Sequence, residues 1–302
     1  MSKPGPAFLW LVRTQYKLIM LFPASWGIIS AVYCQIVRWL HRSGPSVLYV
    51  SLANGHTPPA AIRLPEGQPS NVLRIVCISD THGLEGEVRC PTGDILIHSG
   101  DFLAQWANGP ADLSRFARWL AKQPHEHKLV CAGNHDRCLD PLLVGEKEAA
   151  ACADALREAG AIYFDMSHPT VELCGLRFFG SSYSRMSNPH SQNAAFQDAA
   201  RYRVRPTACD VLITHGPPEG IRDSGFGCPE LRASVDGAHK PVLHVFGHCH
   251  QEHGVQIRGC TTFVNAALST WGWTATKLPV VVDMPRFFGE QRRLPVHPAK
   301  GD

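Results

Sequence analysis

The sequence predicts an α/β fold in which a β-sandwich is flanked by helices. Apolar runs of strand length alternate with amphipathic stretches, and other apolar runs form hairpin-like pairs. Of the 302 residues, 44% are hydrophobic and only 18% are charged, which excludes a chain that is disordered as a whole. The net charge of +3 is too small for a basic nucleic-acid surface, so no specific nucleic-acid binding is expected.

The strands are predicted from short apolar runs that end abruptly. The principal runs are residues 73–79, 94–98, 128–132, 210–214 and 242–246. Further strands are predicted at residues 171–173, 176–179 and 261–264.

Two helices are predicted between these strands. Residues 111–122 place Leu113, Phe116 and Leu120 on one face, as in an amphipathic helix. Residues 146–159 are rich in alanine and are followed by Gly160, a residue typical of helix C-termini. Strands in alternation with such helices predict sheets whose outer faces are covered by helices.

Composition divides the chain into four parts. Residues 1–43 are apolar and aromatic, whereas residues 44–70 contain many prolines and glycines, which predicts a linker with one short strand at 47–50. The globular domain is expected to span residues 71–285. Residues 286–302 are basic, contain proline and are predicted to form a tail.

The N-terminal part contains a run that is long enough to cross a membrane. Residues 18–37 include no Asp, Glu, Lys, Arg or His, and twenty residues as a helix measure about 30 Å. We expect a membrane anchor, with a segment packed on a membrane surface or a partner, or a targeting peptide, as alternatives. Basic residues flank both sides, so the orientation stays open. The protein is accordingly expected at a membrane, with a soluble cytoplasmic protein as the alternative.

The cysteines indicate a reducing compartment. There are eleven of them, an odd number, and no two form a C-x-x-C pair. Several lie inside apolar runs, where a reduced thiol behaves as a small hydrophobic group. We therefore expect the globular domain to face the cytosol.

Polar residues follow the principal strands at the point where each strand ends. The five segments are Asp80-Thr81-His82, Gly100-Asp101, Gly133-Asn134-His135-Asp136, His215-Gly216 and Gly247-His248-Cys249-His250. Because ligands bind outside the carboxyl ends of strands in α/β sheets, these segments are expected to meet at one site.

The donors in these segments are oxygens and imidazole nitrogens, which suit iron, manganese or zinc. Seven such donors are present, more than one ion needs, whereas two ions that share a carboxylate would use them all. They are Asp80, His82, Asp101, Asn134, His215, His248 and His250. Two ions about 3.5–4 Å apart are suited to displacement at phosphorus.

The order D-x-H, G-D, G-N-H-[DE], H and G-H-x-H resembles the calcineurin-like metallophosphoesterase superfamily over residues 72–285. Within it, five segments look like those of the metallophosphoesterase-domain (MPPED) proteins, which are similar to class III cyclic nucleotide phosphodiesterases. They are Ile78-Ser79-Asp80-Thr81-His82, Gly100-Asp101-Phe102, Thr214-His215-Gly216-Pro217-Pro218, Phe246-Gly247-His248-Cys249-His250 and Thr262-Phe263-Val264-Asn265-Ala266. The resemblance implies a metallophosphoesterase-type β-sandwich with two divalent or trivalent ions (Mn, Fe or Zn). One ion would be held by Asp80, His82, Asp101 and His250. The other would be held by Asp101, Asn134, His215 and His248, with Asp101 bridging the two.

The resemblance also implies an activity and two catalytic residues. His135 would stand near the leaving-group oxygen as general acid, oriented by Asp136. The expected reaction is hydrolysis of a small phosphodiester, a cyclic nucleotide foremost, by a hydroxide bound to both ions. A phosphomonoesterase or protein phosphatase with the same ions, and a non-catalytic scaffold, are the alternatives. The oligomeric state stays open.

Residues near these motifs carry further expectations. The loop 181–197 has Tyr183, Arg185, His190 and Asn193 where the MPPED relatives carry tryptophans, so substrate preference cannot be carried over directly. Cys249 is expected to point away from the metals, and Asn265 is expected to support them rather than bind. His98 and His244 lie inside strands, as supporting or core residues.

Overall fold

The computed structural model describes residues 46–53, 57–104, 109–186, 191–203, 206–237, 240–270 and 277–286. Strands within these residues form two sheets, of seven and six strands. The strands are β1 (Val47–Ser51), β2 (Ala60–Ile62), β3 (Val72–Ile78), β4 (Ile95–Ser99), β5 (His127–Cys131), β6 (Ala161–Tyr163), β7 (Thr170–Leu173), β8 (Leu176–Ser181), β9 (Val211–Thr214), β10 (Leu243–Phe246), β11 (Gly254–Arg258), β12 (Thr261–Asn265) and β13 (Val280–Pro285). The helices are α1 (Pro110–Ala121), α2 (Pro141–Val144), α3 (Glu146–Glu158), α4 (Ala199–Tyr202) and α5 (Pro229–Asp236). Short 3-10 helices cover Glu85–Glu87, Arg137–Leu139 and His250–Glu252.

Each sheet contains four neighbouring parallel strands. The first sheet has the order β2-β1-β13-β3-β4-β5-β6, in which β3 to β6 are parallel and β13 is antiparallel to β3. The second has the order β11-β12-β10-β9-β8-β7, in which β12, β10, β9 and β8 are parallel. The carboxyl ends of the central strands therefore point to one edge of each sheet.

The apolar core has two layers, because the side chains of a strand alternate between its faces. From β3, Ile75 and Cys77 pack in a cluster with residues of the second sheet, such as Ile213 of β9. Val76 and Ile78 belong to the other cluster, which includes Phe116 and Leu120 of α1. All residues of β3 are buried, as expected for a central strand that is covered on both faces.

The predicted α/β fold with two sheets flanked by helices is confirmed. The five principal predicted strands correspond to β3, β4, β5, β9 and β10, with ends shifted by one residue at most. Residues 44–70, predicted as a linker with one short strand at 47–50, supply β1 and β2 to the first sheet, where β1 pairs with β13. The burial of Val47 and Val50 accounts for this pairing. The predicted boundaries of the four parts otherwise stay a prediction.

The apolar run 18–37 and the basic tail lie outside the described residues, apart from Arg286. Among the helices of the described ranges, none combines the length and the apolar character needed to cross a bilayer.

Candidate metal centre

Strand ends from both sheets bring the predicted ligands to one place. The loops after β3, β4 and β5 meet the loops after β9 and β10. The seven predicted ligands lie in these loops, at Asp80, His82, Asp101, Asn134, His215, His248 and His250. The last two histidines are half-buried and the other five residues are buried.

One group of donors consists of Asp80, His82 and His250. The Nε2 atoms of His82 and His250 are 3.1 Å apart. Oδ1 of Asp80 lies 3.2 Å from Nε2 of His250 and 4.0 Å from Nε2 of His82. Three donors that approach one another this closely could hold a metal ion.

A second group consists of Asp101, His215 and His248, and Asn134 joins it. Oδ2 of Asp101 lies 3.3 Å from Nε2 of His215. Oδ1 of Asn134 lies 3.1 Å from Nε2 of His215 and 2.9 Å from Nδ1 of His248. This group also has the spacing of a metal site.

Asp101 stands between the two groups. Its Oδ2 is 3.3 Å from Nε2 of His215 in one group and 3.9 Å from Nε2 of His82 in the other. A third group, His82, Asp101 and His135, overlaps both. A single carboxylate in this position can be shared by two cations.

Backbone contacts turn the ligating atoms toward the centre. Nδ1 of His82 lies 3.3 Å from the carbonyl oxygen of Leu103, and Nδ1 of His215 lies 2.9 Å from that of Ser99. Both rings thereby leave Nε2 to the cluster, and a carbonyl at the second ring nitrogen is typical of metal-binding histidines. The amide of Asn134 donates to the carbonyl of Asn193 at 3.0 Å, which leaves Oδ1 facing the imidazoles.

Two glycines let the strand ends approach. A Cβ atom at Gly247 would overlap the Asp80 carboxylate, and one at Gly133 would overlap the Asp101 carboxylate and the His215 ring. The glycines of the G-N-H-D and G-H-x-H segments are therefore required by space beside the ligands.

The carboxylate of Asp136 binds backbone N–H groups of the loops that carry the donors. Its Oδ2 accepts hydrogen bonds from the backbone N–H of Asp101 (2.8 Å) and of Gly133 (2.7 Å). Its Oδ1 accepts from the N–H of Leu103 at 2.9 Å. These bonds join the loops after β4 and β5, so the carboxylate helps to position Asp101. Backbone partners of this kind leave no signal in the sequence.

His135 lies at the rim of the donor groups. Its backbone N–H donates to Oδ1 of Asp101 at 2.8 Å, and its Nε2 lies 3.9 Å from Oδ2 of the same residue. Its ring meets the His82 ring edge-on, with centroids 4.7 Å apart. Burial lowers the pKa of His135, and the charge of Asp101 acts in the opposite sense.

The electrostatics of the cluster favour cation binding. Burial lowers the pKa of His82 to about 3 and that of His248 to about 4, so both rings are neutral at pH 7 and keep a lone pair. Burial acts in the same sense on His215, but the Asp101 carboxylate outweighs it and raises that pKa to about 9. A cation that replaces this proton would take its place beside a buried carboxylate.

The donor set fits metal ions of the predicted kind. Carboxylate and amide oxygens together with neutral imidazoles suit Fe, Mn or Zn. Two buried carboxylates close together also need a positive charge between them.

Residues outside the predicted set support the loop that carries His248 and His250. The amide of Asn265 donates to the carbonyls of Cys249 (2.9 Å) and Arg222 (3.3 Å), as expected for a supporting residue. The thiol of Cys249 donates to the carbonyl of Asp223 at 3.0 Å.

A half-buried lysine, Lys277, also holds this loop. Nζ of Lys277 donates to the carbonyls of His250 and Ser269, and the hydroxyl of Ser269 donates to the carbonyl of Asp80. Nothing in the sequence pattern pointed to Lys277, because its partners are backbone carbonyls, which leave no signal in the sequence.

The loop 181–197 is described in part. Tyr183 is buried, and the guanidinium of Arg185 donates to the carbonyl of Gly227 at 3.3 Å. The carbonyl of Asn193 is the group that accepts the bond from Asn134. His190 lies outside the described residues.

Paired Asp and His clusters at the strand ends of a two-sheet α/β sandwich define a class of metal-dependent hydrolases. The chain belongs to the calcineurin-like phosphoesterase family, whose sequence model, described as Calcineurin-like phosphoesterase, matches residues 73–252. The resemblance read from the motifs is confirmed, and enzymes of this family use a dinuclear metal centre.

Three relatives, each about one third identical to this chain, match most of its length. Metallophosphoesterase domain-containing protein 1 of Homo sapiens is 33% identical over 241 residues, which are 72% of this chain and 73% of the relative. UPF0046 protein K07C11.7 of Caenorhabditis elegans is 36% identical over 290 residues, 88% of this chain and 99% of the relative. UPF0046 protein C25E10.12 of the same organism is 34% identical over 257 residues, 78% of this chain and 90% of the relative.

Proposed function

We propose that the chain is a phosphodiesterase that hydrolyses small phosphodiesters, with cyclic nucleotides as the first class to test. The observation that carries the proposal is the Asp101 carboxylate between two groups of metal donors. In this proposal one ion, Mn, Fe or Zn, is held by Asp80, His82, Asp101 and His250. The other is held by Asp101, Asn134, His215 and His248.

The ions and the protein have separate tasks. Two bound ions supply a water molecule of lowered pKa and positive charge for the phosphoryl oxygens. The chain fixes the donors through Asp136, Ser99 and Leu103, whose bonds hold the loops and rings in place. His135, at the rim of the cluster, would in its protonated form donate a proton to the leaving oxygen as general acid, a contribution of typically about 10²–10⁴-fold.

The charge of the donor set supports a diester over a monoester. Asp80 and Asp101 are its carboxylates, and an imidazole binds a metal ion only in its neutral form. Two divalent ions then leave about two positive charges, which a monoanionic diester and one hydroxide balance. A phosphomonoester, with a second pKa of about 6, adds a further negative charge at pH 7.

The test is the hydrolysis of bis-p-nitrophenyl phosphate and of p-nitrophenyl phosphate by the full chain with added Mn²⁺. We expect the diester to have the higher kcat/KM and Asp101→Ala to lose turnover while remaining folded. Asp112→Ala on α1, which removes a carboxylate from a pair with Arg115, is the control and keeps full activity. Diester turnover by Asp101→Ala would refute the two-ion centre, and a preference for the monoester would favour the phosphomonoesterase.

A panel of 3′,5′- and 2′,3′-cyclic nucleotides then tests the substrate class. Turnover of at least one of them, lost in Asp101→Ala, is the expected result. A chain that binds Mn²⁺ but hydrolyses neither esters nor cyclic nucleotides would be the non-catalytic scaffold.

A further inference from the structure

Two histidines of the strands are fully buried among aromatic rings. The ring of His98, on β4, meets Phe102 and Phe116 edge-on, at centroid distances of 5.6 Å and 5.2 Å. The ring of His244, on β10, lies 5.0 Å from Phe246 and 5.8 Å from Phe263. Each sheet therefore places one histidine in an apolar layer, where an imidazole is costly.

Each of these rings contacts one threonine hydroxyl. Nε2 of His98 lies 3.1 Å from Oγ1 of Thr81, and Nε2 of His244 lies 2.9 Å from Oγ1 of Thr214. Nδ1 of both rings has no hydrogen-bond partner in the described part of the chain. A buried N–H without an acceptor is rarer than a bare acceptor, so the proton belongs on Nε2 and the ring donates to threonine.

The contact on the second sheet continues into the metal loop. The hydroxyl of Thr214 donates to the carbonyl of Gly216 at 2.7 Å, so it must accept from His244. The chain of bonds from His244 through Thr214 to Gly216 spans His215, which lies between the two bonded residues. On the first sheet, Thr81 lies between the predicted ligands Asp80 and His82.

The same arrangement thus occurs twice, once beside each group of donors. A buried polar pair can often be replaced by apolar groups of the same shape at little cost, so stability alone gives no reason for either histidine. We propose that His98 and His244 are positioning residues, which hold the Thr81–His82 and Thr214–His215 steps so that each imidazole meets its metal ion. The proposal rests on the two-ion centre of the proposed function.

The test measures Mn²⁺ affinity of the metal-free chain by isothermal titration, with the metal content of the purified protein as a second readout. Thr81→Val and Thr214→Val remove only the hydroxyl. We expect each to weaken one of the two Mn²⁺ binding steps about 10–100-fold, the usual effect of losing a residue that orients a ligand. Thr262→Val is the matched control, because Oγ1 of this buried threonine has no hydrogen-bond partner among the described residues.

Variants of the histidines complete the test. We expect His98→Leu to weaken the same Mn²⁺ binding step as Thr81→Val, and His244→Leu the same step as Thr214→Val. We expect His98→Gln and His244→Gln to restore part of the Mn²⁺ affinity, because the amide of glutamine can donate near the position of Nε2. Urea unfolding shows whether each variant is folded. Folded Thr→Val and His→Leu variants that all bind Mn²⁺ within twofold of the Thr262→Val control would overturn the proposal.

The outcome is separable from that of the proposed function. A wild-type chain that binds two Mn²⁺ ions but hydrolyses no diester refutes the substrate class, and the affinities of the threonine variants still decide the role of the histidines. A wild-type chain that binds no Mn²⁺ refutes both proposals.

Discussion

The ion pair between Arg74 and Asp283 joins neighbouring strands inside the first sheet. Nε and Nη2 of Arg74, on β3, donate to Oδ1 and Oδ2 of Asp283, on β13, each at 2.8 Å. The side chains are only 5% and 3% exposed. Tyr49 of β1 donates its hydroxyl to Oδ2 of the same carboxylate at 3.0 Å. We consider the substitution Asp283→Asn, which keeps the shape and removes the charge.

The expected cost follows from the burial of the pair. Because Arg74 stays charged, Asp283→Asn leaves a buried guanidinium without its counter-ion, which costs about 3–5 kcal/mol in such pairs. The pair Arg232–Asp236 on α5 is the contrast, since Nε and Oδ2 are 2.6 Å apart but the carboxylate is 47% exposed. Asp236→Asn should cost about 0.2–1 kcal/mol, as exposed pairs do.

Urea unfolding of the wild type, Asp283→Asn and Asp236→Asn gives their free energies of unfolding. Where the dependence of this free energy on urea concentration is unchanged, the shift of the midpoint reports the loss of stability. Against a typical total of about 5–15 kcal/mol, Asp283→Asn should remove a large share. The double variant Arg74→Met/Asp283→Leu buries no charge and should recover most of the loss. Equal losses in Asp283→Asn and Asp236→Asn, or no recovery in the double variant, would show that the assumed desolvation cost is wrong.

Three further predictions concern the site and its surroundings. Gly247→Ala should weaken Mn²⁺ binding at least tenfold in titration, because its Cβ would overlap the Asp80 carboxylate, whereas Gly86→Ala, with no atom within 4 Å of the added Cβ, should bind like wild type. Tyr202→Phe removes a buried 2.5 Å hydrogen bond to Oδ1 of Asp140 and should lower the free energy of unfolding by about 1–3 kcal/mol in urea; a loss below about 0.5 kcal/mol would contradict this. Free Mn²⁺ at about 100 times its Kd should raise the free energy of unfolding by about 2.7 kcal/mol per site. An unchanged urea midpoint would show that Mn²⁺ does not bind the native state in preference to the unfolded chain.

The parts of the fold that the sequence predicted are those with a local signal. A run such as 73–79 is apolar over a full strand and ends in polar residues, so both β3 and the loop with Asp80 were predictable. β6 has only three residues, too few to show a period. The position of β13 between β1 and β3 depends on pairing with residues some 200 positions away, which no local pattern encodes.

In the candidate site, too, only the residues with a local sequence signal could be predicted. Its donors were predictable because each stands at a strand end, whereas the groups that hold them are mostly backbone atoms. The carbonyls of Ser99 and Leu103 and the N–H groups bound by Asp136 are of this kind. The role of Asp136 in orienting His135 stays a prediction, whereas its bonds to backbone N–H groups had no signal in the sequence.

The backbone at the donors explains why so much of the protein supports them. Asp80, His82, Asp101 and His248 have φ values of 52°, 46°, 55° and 65°, a region that residues other than glycine rarely adopt. Such a conformation costs about 1–3 kcal/mol per residue and persists only where neighbouring bonds fix it.

Those bonds are present at each strained residue. The N–H of Asp80 donates to the carbonyl of Gly100 at 2.9 Å, and that of His82 donates to the carbonyl of Asp101 at 3.0 Å. The N–H of Asp101 donates to Asp136, and that of His248 donates to the Asp80 carboxylate at 3.1 Å. Because these hydrogen bonds are made between groups of the protein, the fold itself holds the metal donors in place. An arriving cation then needs to displace protons and water but not to reorganise the chain, which favours tight binding at an edge built from two separate sheets.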